Sequence, residues 1–331
     1  MNKAAALATY APAAREALRE YSFDVQALDL VSISENVTFR VTDGVDGAAY
    51  VLRLHRPGYH TLDELNSERV WLRALDDAGI AVPVPIAARD GSDYVPVNVV
   101  ATDEQRLAGV SRWTEGELLE AVLERTTDVA TLERCFTQLG ALMATLHNQA
   151  SNWTVPAHFR RHAFDVNGLM GDAPFWGRFW EHPLLAPEQR TLLLNAREQI
   201  RGALQRYGCD QQTYSLIHAD LHSGNLLVNG DRLIVIDFDD AGFGWHQYDI
   251  AVALRHLRTH VHFTAIRRAL IAGYRSKRAL SDDALALVPM FLLIRGMALL
   301  GWMHLRPELR RPAGELIDEV CAHCAVFQAP C

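Results

Sequence analysis

Acidic and amide side chains are concentrated in one β-rich segment of the chain, residues 214–240. Its first apolar run contains Asp220 and His222, and Asn225 follows five residues after Asp220. An Asn-Gly turn separates this run from a second apolar run, which ends at Asp237. An Asn-Gly turn between two apolar runs is a strong signal for a β-hairpin. The hairpin predicts that Asp237 returns alongside the segment that holds Asp220 and Asn225.

These residue types favour phosphoryl transfer. Asn225 and Asp237 supply the hard oxygen ligands that a divalent cation on a nucleoside triphosphate requires, and a hairpin can bring them to one ion. Asp220 is placed to orient an acceptor hydroxyl and to take its proton. The group therefore predicts a kinase that uses ATP and Mg²⁺. His222 is a candidate to orient Asp220 or the acceptor, and a structural role in its loop is the alternative.

Composition limits the classes of protein that fit. The chain has 331 residues, 49% of them hydrophobic, which suits a globular protein with two lobes or domains. The formal net charge is −8, so we expect no nucleic-acid partner. The chain has only two lysines, Lys3 and Lys277, and 30 arginines. Schiff-base catalysis and a Walker-type phosphate loop, which need an interior lysine, are thereby excluded.

The cysteines and the apolar segments bear on location. The five cysteines are few, odd in number and mostly near the C-terminus, as expected of a reduced, cytoplasmic protein. Residues 1–9 are too short and too soon followed by charges for a signal peptide. The longest apolar stretch, Val288–Leu305, includes Pro289 and Arg295 and predicts a buried helix, with no membrane contact.

Periodicity predicts an α+β fold with a small β-rich N-lobe, residues 1–113, and a larger helical C-lobe, residues 114–331. The catalytic and metal-binding hairpin at 214–240 lies within the C-lobe. The elements that we expect are helices at Ala13–Tyr21, Leu62–Ala78 and Thr131–Asn148, and strands at Val31–Val41, Ala48–Leu54, Tyr94–Ala101 and Leu107–Trp113.

The form HADLHSGN followed by IDFDDAGFGWHQYDIA resembles the aminoglycoside phosphotransferase, or phosphotransferase enzyme, family of the protein-kinase-like superfamily. The resemblance is nearest to the branch of bacterial stress-response Ser/Thr kinases and type II homoserine kinases. It implies the two-lobed protein-kinase-like fold. It also implies that Asp220 is the catalytic base, that Asn225 and Asp237 hold the metal, and that Asp249 is a buried acid tied to the catalytic loop.

The N-lobe departs from the protein-kinase pattern. Arg53 takes the place of the strand lysine, with Glu68 as its expected partner, and a guanidinium can clamp phosphate. The Gly-rich loop is replaced by residues 32–36, so Ser34 and Asn36 are candidate ligand contacts, with a simple polar turn as the alternative. By resemblance, the adenine-facing hinge is Ser111–Glu115, which includes the candidate residues Trp113 and Glu115.

The spacing between Asp237 and Asp249 predicts the kind of molecule that accepts the phosphoryl group. Only eleven residues separate Asp237 from Asp249, about half of what a protein-kinase activation segment needs, which favours a small molecule. The candidate pocket segments are His158–His162 and Met170–Trp180, although the aromatic residues of the second also fit a core stripe. Arg295 needs an acidic partner, which Asp249 or a ligand would supply.

Three functions therefore remain open. The first is phosphorylation of a small hydroxyl metabolite of the amino-acid or amino-alcohol type. The second is a Ser/Thr protein kinase of the stress-response type, which would act on a protein substrate. The third is a nucleotide-binding pseudo-enzyme, which the missing lysine and Gly-rich loop would suit.

Overall fold

The computed structural model describes residues 3–126, 128–309 and 312–327, which divide into two compact units. The first unit is Met1–Gly116 with Val155–Arg160, and the second is Glu117–Thr154 with Arg161–Cys331. The lobe boundary at residues 113/114 stays a prediction.

The first unit consists of a sheet, a helix that packs on it and the predicted amphipathic helix. Its elements are α1 (Lys3–Leu18), β1 (Val25–Ile33), β2 (Val37–Asp43), β3 (Ala49–Leu54), α2 (Leu62–Asp77), β4 (Pro85–Ile86), β5 (Tyr94–Val99) and β6 (Glu104–Arg112). The antiparallel sheet has the order β1-β2-β3-β6-β4, and β5 also pairs with β6. The alternating burial of β2 follows from the period of two along a strand, with one face turned to the core.

Two expectations for this unit were wrong in their bounds. The helix predicted at Ala13–Tyr21 begins at Lys3 and runs through Pro12, because a face of small side chains from Ala6 to Ala17 is buried there. Burial of that face outweighs the cost of an interior proline. The strand predicted at Val31–Val41 is divided into β1 and β2 by a turn at residues 34–36.

The second unit is mainly helical and holds two small sheets. Its strands are β7 (Glu117–Leu118), β8 (Ala163–Phe164), β9 (Tyr214–Ile217), β10 (Leu226–Asn229), β11 (Arg232–Val235) and β12 (Gly242–Trp245). Its helices are α3 (Leu119–Arg125), α4 (Val129–Asn152), α5 (Val166–Met170), α6 (Pro187–Tyr207), α7 (His246–Arg255), α8 (Phe263–Arg275), α9 (Asp282–Ala286), α10 (Val288–His304) and α11 (Gly314–Val326).

The β10–β11 hairpin confirms the Asn-Gly signal. Asn229 pairs with Arg232, so the connection is Gly230 and Asp231, and Gly230 has a φ of 58° that favours glycine. Helices α7 and α10 contact each other and contribute buried residues to the apolar core of the unit. Helix α10 is buried along most of its length, as expected of Val288–Leu305.

Among the described residues, the segment Asp282–His304 is long and apolar enough to cross a membrane by length and composition. It covers α9 and α10, and 61% of its apolar window is buried inside the protein. The core helix of a globular unit has the same length and composition, so the finding is weak evidence for a membrane span.

Candidate active site

The loop after β9 is held in an uncommon conformation by a buried carboxylate. Asp249, on α7, is fully buried and accepts the backbone N–H groups of His218 at 3.1 Å and of Ala219 at 2.7 Å. Ala219 has a φ of 65°, which a residue with a Cβ adopts at a cost. The two hydrogen bonds therefore fix the backbone immediately before Asp220, as the resemblance implied for Asp249.

Asp249 is in turn held by a histidine of α4. His147 is fully buried, and its Nε2 lies 3.0 Å from Asp249 Oδ2 while its Nδ1 lies 2.9 Å from the Tyr274 hydroxyl. Burial lowers the pKa of the His147 imidazole to about 3, and burial raises the pKa of the Asp249 carboxyl to about 6. At neutral pH the pair is therefore a neutral imidazole that donates to a carboxylate.

Both oxygens of the Asp220 carboxylate have protein partners. Oδ1 is paired with the Arg295 guanidinium, and Oδ2 accepts from Asn225 Nδ2 at 2.9 Å and lies 3.4 Å from His222 Nε2. Burial opposes ionisation of Asp220, but the charge of Arg295 and the hydrogen bond with His222 outweigh it. The pKa of Asp220 is therefore held well below its usual range.

The predicted metal ligands are brought together by the hairpin. Asn225 ends a short 3₁₀ turn before β10, and its backbone oxygen accepts the N–H of Ile236 at 3.0 Å. Asp237 follows Ile236 directly and has a φ of 63°. Because Asn225 Nδ2 is used by the carbonyl and carboxylate of Asp220, Oδ1 is the amide atom left to bind a cation. An amide oxygen and a carboxylate at one end of a hairpin fit a hard divalent cation.

The segment after Asp237 is anchored by residues for which we expected a different role. Arg161 donates to the backbone oxygens of Phe238, Asp239 and Ala241, and His162 Nε2 lies 3.0 Å from the oxygen of Asp240. These side chains bind backbone groups, so this part of the predicted pocket segment His158–His162 fixes the backbone that follows Asp237. Side chains that bind main-chain oxygens leave no distinctive spacing in a sequence.

The aromatic segment Met170–Trp180 is largely core. Trp176 and Phe179 are 3% and 1% exposed, and Phe175 and Trp180 pack against the same core cluster. The expectation of an acceptor pocket lined by these aromatic residues is therefore replaced by the core-stripe alternative. Amphipathic spacing alone does not distinguish the two, because both place aromatic residues on one face.

Arg295 is the site residue whose partner sequence reasoning missed. It lies on α10, is 6% exposed and pairs with Asp220, whereas we expected Asp249 or a ligand. The sequence does indicate that Arg295 has a partner, because a guanidinium within an apolar helix requires an acidic group. The identity of that partner depends on how α10 packs, which the sequence does not state.

In the first unit, Arg53 and Glu68 occupy the expected elements. Arg53 is half-buried on β3, opposite Thr38 of β2 and Gly109 of β6. Glu68 is buried on α2, and its Oε2 accepts no hydrogen bond from the residues that the structure describes. A buried carboxylate oxygen without a donor is costly, which suits a group that meets a cationic partner. The pairing of Arg53 with Glu68 stays a prediction.

The other nucleotide-site candidates lie at the ends of strands in the first unit. Ser34 is exposed in the β1–β2 turn, while Asn36 is buried and its Oδ1 accepts the N–H of Arg56 at 2.8 Å. Trp113 follows β6, and the guanidinium of Arg40 lies 5.0 Å from its ring. Glu115 is exposed and lies 3.9 Å from Arg40. Their nucleotide contacts remain predictions.

Comparison with known proteins supplies the family. Residues 30–284 match the model of the phosphotransferase enzyme family, which is more than half of the chain. The chain belongs to the phosphotransferase enzyme family. It is an enzyme that transfers a phosphoryl group to a hydroxyl group, and the predicted kinase activity and protein-kinase-like α+β fold are confirmed.

Several relatives share most of their length with this phosphotransferase. It is 24% identical to the amicoumacin kinase of Bacillus subtilis (strain 168) over 305 residues, which is 87% of this chain and 83% of the relative. It is 27% identical to the homoserine kinase of Nitrobacter winogradskyi over 94% of this chain and 90% of that kinase.

Two solved structures have the same fold. A microcompartment-associated aminopropanol kinase is 33% identical, covers 95% of this chain and 94% of its own, and superposes with a TM-score of 0.78. The amicoumacin kinase hAmiN, solved in complex with AMP-PNP, Ca²⁺ and Ami, is 21% identical with coverage of 98% and 95% and a TM-score of 0.78.

Proposed function

We propose that this phosphotransferase moves the γ-phosphate of ATP, with Mg²⁺, to the hydroxyl group of a small amino alcohol or hydroxy amino acid. The observation that carries the proposal is the Asp220 carboxylate, fixed by three side chains beside the hairpin that holds Asn225 and Asp237. The relatives add the acceptor class, because they include an aminopropanol kinase that is 33% identical and homoserine kinases.

Asp220 acts on the acceptor. Its carboxylate is ionised at neutral pH, so it can accept a hydrogen bond from the hydroxyl and receive the proton as the oxygen attacks phosphorus. A base with a low pKa contributes mainly by orienting the hydroxyl, because little proton transfer is required until the O–P bond forms. His222, 3.4 Å from Oδ2, keeps the carboxylate turned toward this position.

Asn225 and Asp237 would hold Mg²⁺, which offsets the negative charge of the triphosphate when bound. In the first unit, Arg53 would contact phosphate with Glu68 as its partner, and Ser34 and Asn36 would contribute turn groups to the same end of the nucleotide. Trp113 and Glu115 would lie at the adenine. An arginine in place of the usual lysine offers two parallel donors to phosphate oxygens, which preserves the charge and changes the geometry.

A small acceptor is favoured by how little chain follows the metal-binding aspartate. Strand β12 begins at Gly242, five residues after Asp237, and α7 follows it directly. The intervening backbone is held by Arg161 and His162. The segment therefore offers no extended platform for a peptide, which makes a protein acceptor the second candidate.

A reducing, cytoplasmic location fits the thiols of this enzyme. The four described cysteines, Cys135, Cys209, Cys321 and Cys324, are free thiols, and burial raises the pKa of the Cys324 thiol to about 12. Protonated thiols are unreactive, so these cysteines need no oxidising compartment.

The test is release of ADP from Mg-ATP with separate acceptors: 1-amino-2-propanol, ethanolamine, homoserine, choline, and a generic Ser/Thr protein. Asp220→Asn is the blank. The proposal expects turnover with at least one amino alcohol or with homoserine, and a phosphomonoester product. Transfer to the protein alone would establish a protein kinase. Nucleotide-dependent thermal stabilisation without transfer to any acceptor would establish a pseudo-enzyme.

A further inference from the structure

The guanidinium of Arg295 lies in an apolar environment, where burial of a charge is energetically unfavourable. Helix α10 is apolar on nearly all sides, and Arg295 is 6% exposed within it. Removing a guanidinium from water costs several kcal/mol unless an acid and further hydrogen bonds compensate. An arginine at such a position therefore needs a partner that offsets the free energy of desolvation, and Asp220 is that partner.

Three groups fix the position of this guanidinium. Its Nη2 donates to Asp220 Oδ1, its Cζ lies 5.2 Å from the centroid of the Trp176 ring, and the Tyr248 hydroxyl is beside it. The Trp176 ring is buried and Tyr248 is fully buried, so neither has room to move. Arg295 Nε has no hydrogen-bond partner among the described residues, so the pair with Asp220 is its main polar compensation.

The two oxygens of Asp220 therefore face different surroundings. Oδ1 is bound on the side of α10 by Arg295, whereas Oδ2 meets Asn225 and His222 on the side of the hairpin. Because Asn225 is a proposed metal ligand, Oδ2 is the oxygen nearer to the position of the transferred phosphate. A carboxylate that is held at both oxygens keeps one rotamer, so Oδ2 stays on the side from which an acceptor hydroxyl would approach.

We propose that Arg295 is a positioning residue, which binds Asp220 Oδ1 from the buried side so that Oδ2 is presented to the acceptor hydroxyl. The proposal rests on the proposed function of Asp220 as the base. Loss of the guanidinium would let the carboxylate rotate and would leave it partly buried without its cation. The transfer step would suffer, while ATP binding, which does not use Asp220 Oδ1, would not.

Arg197 is a matched control. It is also a buried arginine of the second unit, 8% exposed, with its guanidinium 4.4 Å from the Trp180 ring and 2.7 Å from an Asp172 oxygen. It contacts neither Asp220 nor the hairpin in any described hydrogen bond. Removing it costs the packing of a buried guanidinium and an ion pair with a carboxylate that is more exposed than Asp220, and the pair does not include the base.

The experiment compares Arg295→Met, Arg295→Lys and Arg295→Ala with Arg197→Met and Arg197→Ala. ADP release from Mg-ATP is followed with 1-amino-2-propanol and, as an acceptor that is always present, with water. We expect kcat to fall about 10²-fold in Arg295→Met, because a displacement of about 1 Å has that effect, with KM for ATP unchanged. Arg295→Lys should restore activity only partly, since lysine offers a point charge. Added guanidinium at millimolar concentration should raise the rate of Arg295→Ala but not that of Arg197→Ala.

Stability supplies an independent measurement that needs no acceptor. The double variant Asp220→Asn/Arg295→Met should melt at a higher temperature than Arg295→Met alone, because it removes the partly buried carboxylate that has lost its cation. If Arg295→Met fails to fold, a folded double variant would give the same answer.

Three outcomes would overturn the inference: a wild-type kcat in Arg295→Met, an equal loss in Arg197→Met, or additive melting temperatures in the double variant. Failure of the proposed function is distinguishable. In that case Asp220→Asn itself would keep the wild-type rate, whereas an inactive Asp220→Asn with an active Arg295→Met rejects only the role of Arg295.

Discussion

Replacing Asp249 by alanine tests how the catalytic loop is held. The variant removes the acceptor of two buried backbone N–H groups, those of His218 and Ala219, and of the His147 imidazole. A buried donor that loses its acceptor costs about 1–3 kcal/mol. The two backbone donors alone therefore predict a fall of about 2–6 kcal/mol in the free energy of unfolding, from a total of about 5–15 kcal/mol.

The same change should reduce turnover. Ala219, at a φ of 65°, loses the hydrogen bond that holds it there, and Asp220 is the next residue. Relaxation of this backbone would displace the Asp220 carboxylate, and a displacement of about 1 Å predicts about a 10²-fold loss in kcat. Asp249→Asn should be milder, because its amide oxygen can still accept one of the two N–H groups.

Asp128→Ala is the control. Asp128 also accepts two backbone N–H groups, from Ala130 at 3.3 Å and Thr131 at 2.9 Å, but it is an exposed helix cap. Its loss should cost about 1 kcal/mol and leave kcat unchanged. Urea unfolding and ADP release measure both variants. If Asp249→Ala lost no more stability than Asp128→Ala and kept full turnover, Asp249 would not be what holds the catalytic loop.

Three further predictions concern pH, metal and packing. Burial lowers the pKa of His147 to about 3 and that of His246 well below its usual value, so unfolding binds two protons in mild acid, while Asp249, raised to about 6, releases one. Stability should fall by about 1 kcal/mol per pH unit from pH ~6 to ~4, and a flat urea-midpoint profile would contradict this. Asp237→Asn should lose the Mg²⁺-dependent part of the thermal stabilisation by ATP, and an unchanged metal titration would remove Asp237 from the site. Gly140→Ala should destabilise by about 3 kcal/mol or more, because a Cβ there would lie 2.0 Å from the Leu270 oxygen of α8. Gly202→Ala on α6, whose nearest atom is 3.5 Å away, should be neutral or stabilising, and equal urea midpoints for the two variants would show that α4 and α8 are not interlocked at Gly140.

Local parts of the site could be predicted from the sequence. The hairpin follows from an Asn-Gly turn between apolar runs, and the five-residue step from Asp220 to Asn225 is spanned by the loop and one 3₁₀ turn. Asn225 therefore contacts the backbone oxygen of Asp220 through a short stretch of chain. Interactions of this kind depend on residues that are close in sequence, which is why spacing indicates them.

Contacts across long stretches of chain could not be predicted. Arg295 meets Asp220 across 75 residues and His147 meets Asp249 across 102, and both depend on how helices pack. The turn between β1 and β2 is similar, because Asn36 accepts an N–H from Arg56, twenty residues away. The sequence showed a charged residue in an apolar setting at Arg295, which indicates that a partner exists without identifying it.

In the proposed mechanism, Asp220 orients the hydroxyl acceptor beside a metal held by Asn225 and Asp237. Single-turnover phosphoryl transfer from ATP is measured for the wild-type and Asp220→Asn enzymes, with the acceptor that the wild type uses. Thermal stabilisation by Mg-ATP is recorded on the same samples. We predict that Asp220→Asn retains the stabilisation by Mg-ATP and loses about 10²-fold or more of the transfer rate. Transfer at the wild-type rate by Asp220→Asn would show that the Asp220 carboxylate does not orient the acceptor.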